Sequence, residues 1–218
     1  MPFYRDLSTE DSSILFWKFE EGDDLPESLI GKADSEKILH YHPKKLLEYL
    51  MIRKLLHQIK PDHQIRYKNA GQPYLFPTDA YISVSHSFPF GVLAVSKKRV
   101  GIDMEKIVPK IQRVKHKFLH ETEVSWTQTE RETEMLTVIW AIKEALYKLH
   151  PCKYWSLKKF YEVAPFDLDD LSQVKCRVFD ENFEDCYTAE VSRIENYFFA
   201  VIEENHQINY NIPQVVVP

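Results

Sequence analysis

The chain has 218 residues, 44% of them hydrophobic and 28% charged, with a formal net charge of −5. That is enough chain for a full core, as one domain or as two small, closely packed halves, and the composition excludes a disordered or fibrous protein. The acidic balance excludes a global basic field that would draw it to nucleic acid or an anionic membrane, and no apolar stretch approaches the roughly 18–20 residues that span a bilayer.

The N-terminal MPFYRDLSTEDSS lacks a basic segment followed by an apolar run, so no signal peptide is expected. Residues 13–20 (SILFWKFE) alternate as a strand, and an acidic loop with Gly22 and Pro26 follows. Residues 43–60 predict a helix: Pro43 suits its first turn, Ile52, Leu55, Leu56 and Ile59 form an apolar stripe, and Pro61 stops it. The runs 81–87 (YISVSHS) and 91–96 (GVLAVS) predict a hairpin closed by Phe-Pro-Phe. A second turn at 97–99 leads into the strand VGIDMEKI (100–107). Residues 114–124 read as helical, and 127–134 as a polar loop or helix start.

The strongest helix is 135–150, with Met135, Ile139, Ile142, Leu146 and Leu149 at helical spacing and Pro151 at its end. Strands are expected at 174–179, 187–194 and 197–204, whereas the prolines of the terminal IPQVVVP discourage regular structure. Each half therefore reads as one long helix with a terminal hairpin. The fold class is α+β, built of two similar halves joined near residues 97–102. Cys152, Cys176 and Cys186 are odd in number and lack C-x-x-C spacing, as expected of reduced thiols in a cytoplasmic protein.

Alternation along 100–105 sends Val100, Ile102 and Met104 to the core and puts Gly101, Asp103 and Glu105 together on the other face. Taken alone, the acid pair reads as an exposed strand face with incidental carboxylates. A bare glycine beside two carboxylates also suits a hard cation whose ligand lies close to the backbone. Trp140, Glu144 and Lys148 share a second helix face, off the apolar stripe. They read either as a surface Glu–Lys pair or as a third carboxylate and a cation for phosphate. Ser85 and His86 end a strand at a loop, where the histidine is a phosphate contact or a catalytic proton relay only if it faces the same cleft.

The ordered segments GQPYL, SVSHS, VGIDMEKI and WAIKEALYK resemble the signature of the Sfp-type 4′-phosphopantetheinyl transferases, of the holo-acyl-carrier-protein synthase superfamily. That group carries, in this order, G-K-P, S-x-S-H, G-[IV]-D-x-E and W-x-x-K-E-[AS]-x-x-K. The resemblance implies two similar subdomains, 1–98 on the coenzyme A nucleotide side and 99–218 on the metal and carrier side. Each would be a long helix on a small antiparallel sheet, related by a pseudo-twofold with the active site between them. It implies a monomeric enzyme that moves 4′-phosphopantetheine from coenzyme A to the serine of an acyl or peptidyl carrier protein, releasing 3′,5′-ADP.

Carried over residue by residue, Asp103, Glu105 and Glu144 would hold Mg²⁺, or Mn²⁺, with the pyrophosphate. Glu144 could also be the base, directly or through a water. Lys148 would contact the phosphate, assisted by Lys143, and Ser85 and His86 would hold coenzyme A phosphates. Lys44, Lys45 and Arg53 would meet its 3′-phosphate end, or else belong to a solvated helix face. Gln72 stands where many members have lysine, which removes a charge from the nucleotide contact. Gly101 would be clearance for the ligand. The basic segment KIQRVKHKFLH (110–120) would face the carrier, with Phe118 and Leu119 as apolar contacts; read from its residues alone it is equally a solvated basic helix with a buried Phe-Leu pair. A Mg²⁺-dependent phosphohydrolase and a silent carrier-binding scaffold are the rival readings.

Overall fold

The computed structural model describes residues 4–31, 34, 38–68 and 71–204; the terminal IPQVVVP lies outside them. Two antiparallel sheets, each backed by one long helix, make up most of the molecule, so the class is α+β. The first sheet has the order β1–β2–β6–β5, from strands β1 (Arg5–Asp6), β2 (Ser12–Lys18), β5 (Tyr81–Ser87) and β6 (Phe90–Ser96). Helix α1 (Pro43–Ile59) covers one of its faces, and a small hairpin of β3 (Gln64–Tyr67) and β4 (Pro73–Phe76) lies beside it. The second sheet has the order β7–β11–β10–β9–β8, from β7 (Val100–Lys106), β8 (Tyr161–Val163), β9 (Val174–Phe179), β10 (Glu184–Ile194) and β11 (Tyr197–Glu203). Between β7 and β8 run the short helices α2 (Lys110–Val114) and α3 (Val124–Thr127), the long helix α4 (Glu132–Leu149), and α5 (Leu157–Phe160).

Period-two patterning decides the layering. In β2, Ile14 and Phe16 meet the second sheet while Leu15 and Trp17 meet α1. In β6, Phe90, Val92 and Ala94 point one way and Leu93 and Val95 the other. In β11, Phe199 enters the core between the sheets, while Phe198, Ala200 and Ile202 lie under α4. These strands are buried on both faces, which is why their sequences are almost wholly apolar.

The two sheets face each other through Ile14, Phe16, Val92, Ile102, Met104 and Phe199, with Phe16 and Phe199 edge to face at 4.7 Å. Their neighbouring edges, β5 and β7, are joined by serine side chains: the Ile102 N–H donates to Ser83 Oγ (3.0 Å) and the Met104 N–H donates to Ser85 Oγ (3.1 Å).

The long helices, the 81–96 hairpin, β9 and the β10–β11 hairpin lie where the sequence puts them. The 114–124 segment differs: it is a chain of short turns, 3₁₀ at 115–117 and 121–123, rather than one helix. Phe118 and Leu119 both plunge into the core (0% and 5% exposed), and adjacent residues cannot share one face of a regular helix. That burial also removes them from the surface, so they cannot be the apolar contacts of a carrier interface. The short elements β3, β4, α5 and β8 carry too few residues for a periodic signal.

Gly101 is where the fold is tightest. A Cβ there would stand 2.0 Å from the Ala145 carbonyl oxygen and 2.8 Å from Leu149 Cβ. The bare glycine is thus clearance for the backbone of α4, not for a ligand. Gly101→Ala must push the helix off the sheet, and its unfolding free energy in urea is expected to fall by about 3 kcal/mol or more. A value within about 0.5 kcal/mol of the unmodified protein would show that the contact is not a constraint.

Candidate active site

The close approach at Gly101 brings the polar stripe of α4 down on the acidic face of β7. Lys148 donates to Asp103 Oδ1 (2.6 Å) and to the Ile102 carbonyl (2.9 Å), and the Trp140 indole N–H donates to Glu105 Oε1 (3.0 Å). Asp103 is only 4% exposed, so the β7 face is covered rather than a solvated strand edge. The Ser85 hydroxyl donates to Asp103 Oδ1 (2.9 Å), and its oxygen accepts from the Met104 N–H on the same strand. Ser85 is therefore buried and committed to holding Asp103.

The electrostatics of this cluster are unbalanced toward negative charge. Burial, and then the neighbouring Asp103 charge, push both Glu105 and Glu144 up to about 7. Lys148 pulls both back, as does the Trp140 hydrogen bond on Glu105. Asp103 Oδ2 is buried and has no hydrogen-bond partner, which costs energy unless some cation or donor meets it. Among the described residues, no three His, Cys, Asp or Glu side chains converge enough to enclose a metal ion by themselves. A Mg²⁺ ion needs only one or two protein carboxylates when phosphate oxygens and water complete its octahedron. An unpartnered carboxylate oxygen beside two further carboxylates fits that partial set.

A cleft of about 440 Å³ opens beside the cluster, lined by Lys45 and Glu48 of α1, the 71–73 turn, Ser83 and His86 of β5, and Tyr147, Lys148 and Lys153. Gly71 makes the turn with φ +78°, and the Gln72 carbonyl accepts from the Lys68 N–H (2.9 Å). A second cleft of about 550 Å³ shares Gln72, Pro73, Ile82 and Lys148 with the first and adds Lys68, Lys97 and Arg99. Lys153 donates to the Tyr147 and Lys148 carbonyls at the end of α4. Burial, then Arg99 and Lys68, push its ammonium down to about 8. Nothing periodic in the loop after Pro151 marks Lys153, and Glu48 hides among ordinary helix residues; both escape the sequence pattern.

The remaining expected residues divide. His86 is exposed at the cleft, with Nδ1 3.3 Å from Glu48 Oε2. Lys45 lines the cleft with its ammonium 4.1 Å from the centre of the Tyr41 ring. Lys44 is exposed and turned over Phe88 (5.3 Å), away from the cleft lining. Arg53 reaches the cleft wall but is 8% exposed, stacked on Tyr49 at 3.4 Å and ion-paired with Asp34 at 3.2 Å.

Lys143 is not brought to the site. It is fully buried and donates to Glu123 Oε2 (2.7 Å) and to the Phe118 carbonyl (2.7 Å). One residue before Glu144 is about 100° around the helix, which turns its chain into the core. Glu123 also accepts from the backbone N–H groups of His120 (2.7 Å) and Val163 (2.8 Å), so the pair fastens α4 to the 118–123 turns and to β8.

Residues 99–205 match the model of the 4′-phosphopantetheinyl transferase superfamily. The chain is 32% identical over 112 residues to the 4′-phosphopantetheinyl transferase gsp of Aneurinibacillus migulanus, covering 48% of this chain and 47% of that protein. It is 34% identical over 83 residues to the 4′-phosphopantetheinyl transferase of Bacillus subtilis, covering 36% and 37%. The chain thus spans about half the length of the curated relatives it matches, or less.

Removing one member of a buried ion pair strands the other, so Lys143→Met is expected to lower the unfolding free energy by about 3–5 kcal/mol. Urea unfolding checks this; unchanged stability would mean that the Lys143–Glu123 pair does not fasten the helix.

Proposed function

We propose, from the match of residues 99–205 to the model of the 4′-phosphopantetheinyl transferase superfamily, that the protein transfers 4′-phosphopantetheine from coenzyme A to the serine of an acyl or peptidyl carrier protein. The observation that carries this reading is the cluster on β7 and α4: a buried, half-unpartnered Asp103 in contact with Lys148, beside two carboxylates held near 7. Such a cluster is complementary to a phosphate group arriving together with a divalent cation. Asp103, Glu105 and Glu144 would hold Mg²⁺, with Mn²⁺ as a substitute, and the ion when bound supplies positive charge to the phosphate oxygens.

The protein's own part is alignment and proton handling. Glu144 takes the proton of the carrier serine as its oxygen forms a bond to the β-phosphorus of coenzyme A. The bond from that phosphorus to the bridging oxygen breaks, and 3′,5′-ADP leaves with the electron pair. Lys148 sits against Asp103 with its ammonium directed to the charge that develops on the transferred phosphate. His86, Lys45 and Gln72 bind the nucleotide side along the 440 Å³ cleft, and the cations Lys68, Lys97 and Arg99 line the adjoining one. Ser85 acts through Asp103, holding its carboxylate toward the site.

In this reading 1–98 is the nucleotide-side subdomain and 99–218 the metal- and carrier-side subdomain. The two helix-backed sheets are similar halves about a pseudo-twofold axis, and the enzyme works as a cytoplasmic monomer.

Incubation with Mg²⁺, coenzyme A and an apo acyl carrier protein should raise the carrier's mass by one phosphopantetheine. No gain with fatty-acid or peptide-synthesis carriers would refute the reading. Asp103→Ala and Glu144→Gln should each lower transfer at least ~100-fold without loss of fold, because each removes a charge from the reacting centre. Near-normal transfer by either variant would displace the site. Chelation with EDTA should stop transfer and Mg²⁺ restore it. Without the cation, both glutamates take up protons as the pH drops below about 7, so Mg²⁺ affinity should weaken from pH 8 to 5; an affinity that is flat over that range would contradict their roles as ligands.

A further inference from the structure

The loop after α4 presents a tryptophan that the core does not use. Trp155 is 79% exposed, the highest value among the large hydrophobic residues exposed on the described surface. Its neighbours are fixed on both sides. Lys153 is bonded to the last carbonyls of α4, and the Tyr154 hydroxyl donates to Asp180 (2.6 Å) while its ring stacks on Phe160 at 4.6 Å. Ser156 caps α5, its hydroxyl accepting from the Lys159 N–H (3.3 Å). The ring is thus held out by an ordered backbone, which lowers the entropy cost of using it as a contact.

The ground around this tryptophan is basic. The Lys159 ammonium lies 5.3 Å from the Trp155 ring centre, and Lys158 is exposed beside it. Helix α5 packs on the 3₁₀ turn 115–117, whose Lys117 is exposed, and Arg113 is exposed one turn earlier. Among the described residues none of Arg113, Lys117, Lys158 and Lys159 has a carboxylate in ion-pairing distance, while most other basic residues of this acidic chain are paired. Two residues from Trp155, Lys153 lines the cleft mouth together with Tyr147.

We infer that Trp155, with Lys158, Lys159, Lys117 and Arg113, is the docking surface for an acidic carrier protein, with the tryptophan as its apolar anchor. This rests on the transferase reading. It assigns the anchor to the α4–α5 loop in place of the buried Phe118 and Leu119. An exposed aromatic with one unpaired cation against its ring, and further unpaired cations on α5 and on the turn packed against it, matches a partner that offers carboxylates around a shallow apolar spot. Lys153, two residues before Trp155, lines the cleft together with Lys148, so a partner seated on this surface would have its serine on the side of the α4 cluster.

The test is steady-state transfer from coenzyme A to an apo acyl carrier protein by Trp155→Ala and by the double variant Lys158→Glu/Lys159→Glu. The expected result is a KM for the carrier at least ~10-fold higher in each. The KM for coenzyme A, the thermal unfolding midpoint and the rate at saturating carrier should stay near their original values. Carrier KM in the unmodified enzyme should rise with NaCl, and less steeply in the double variant. An unmoved carrier KM, an equal rise in both KM values, or a dimer that Trp155→Ala dissolves would overturn the assignment and leave the transferase reading standing. An unmodified enzyme that loads no carrier would overturn both.

Discussion

Everything chemical in this molecule depends on how closely α4 lies on β7. The missing side chain at Gly101 lets the Ala145 carbonyl come to where a Cβ would be. Only at that distance can Lys148 reach both Asp103 and the Ile102 carbonyl, and Trp140 reach Glu105. The apolar stripe of α4 supplies the driving force, since Ile139, Ile142, Leu146 and Leu149 are buried against the sheet. The polar stripe is carried along by helical geometry. A strongly stabilised hydrophobic contact thus concentrates carboxylates that would otherwise repel one another, and it holds Glu105 and Glu144 near neutrality.

Two lysines on this one helix show how position decides role. Lys143 and Lys148 are five residues apart, about 500° of rotation, so they leave the helix in different directions. Lys143 goes into the core, where Glu123 and a carbonyl compensate its charge. Lys148 goes to the cleft edge, where its partner Asp103 keeps a second oxygen unpartnered. The first pair is closed, which suits fastening; the second is open, which suits a ligand. Ser85 belongs to the same scheme. It spends its hydrogen bonds on Asp103 and the Met104 amide, joining the two sheets at the point where the carboxylate must be aimed.

Much of this was legible in the sequence because period and spacing survive burial. The alternation in VGIDMEKI put Asp103 and Glu105 on one face, and the 140–144–148 spacing put three polar side chains on one stripe. Neither pattern says what lies opposite, so Gly101 reads as room for a ligand when it is room for a helix. The motif W-x-x-K-E-[AS]-x-x-K draws Lys143 toward the site, although one step around a helix turns a side chain into the core. The 110–120 segment misleads for a related reason: its charge is visible in the sequence, but Phe118 and Leu119 are apolar without saying whether they face solvent. Trp155 and Lys153 sit in an aperiodic loop whose placement comes from tertiary contacts alone.

The central claim is that the carboxylates of β7 and α4, with Lys148, receive the pyrophosphate of coenzyme A. A crystal structure of the full chain grown with coenzyme A and Mg²⁺ tests it most directly. The account predicts a cation contacting Asp103, including the oxygen that has no protein partner, and a phosphate within hydrogen-bonding reach of Lys148. A pyrophosphate bound instead among Lys68, Lys97 and Arg99, with the Asp103–Lys148 contact undisturbed and no cation beside it, would contradict the account.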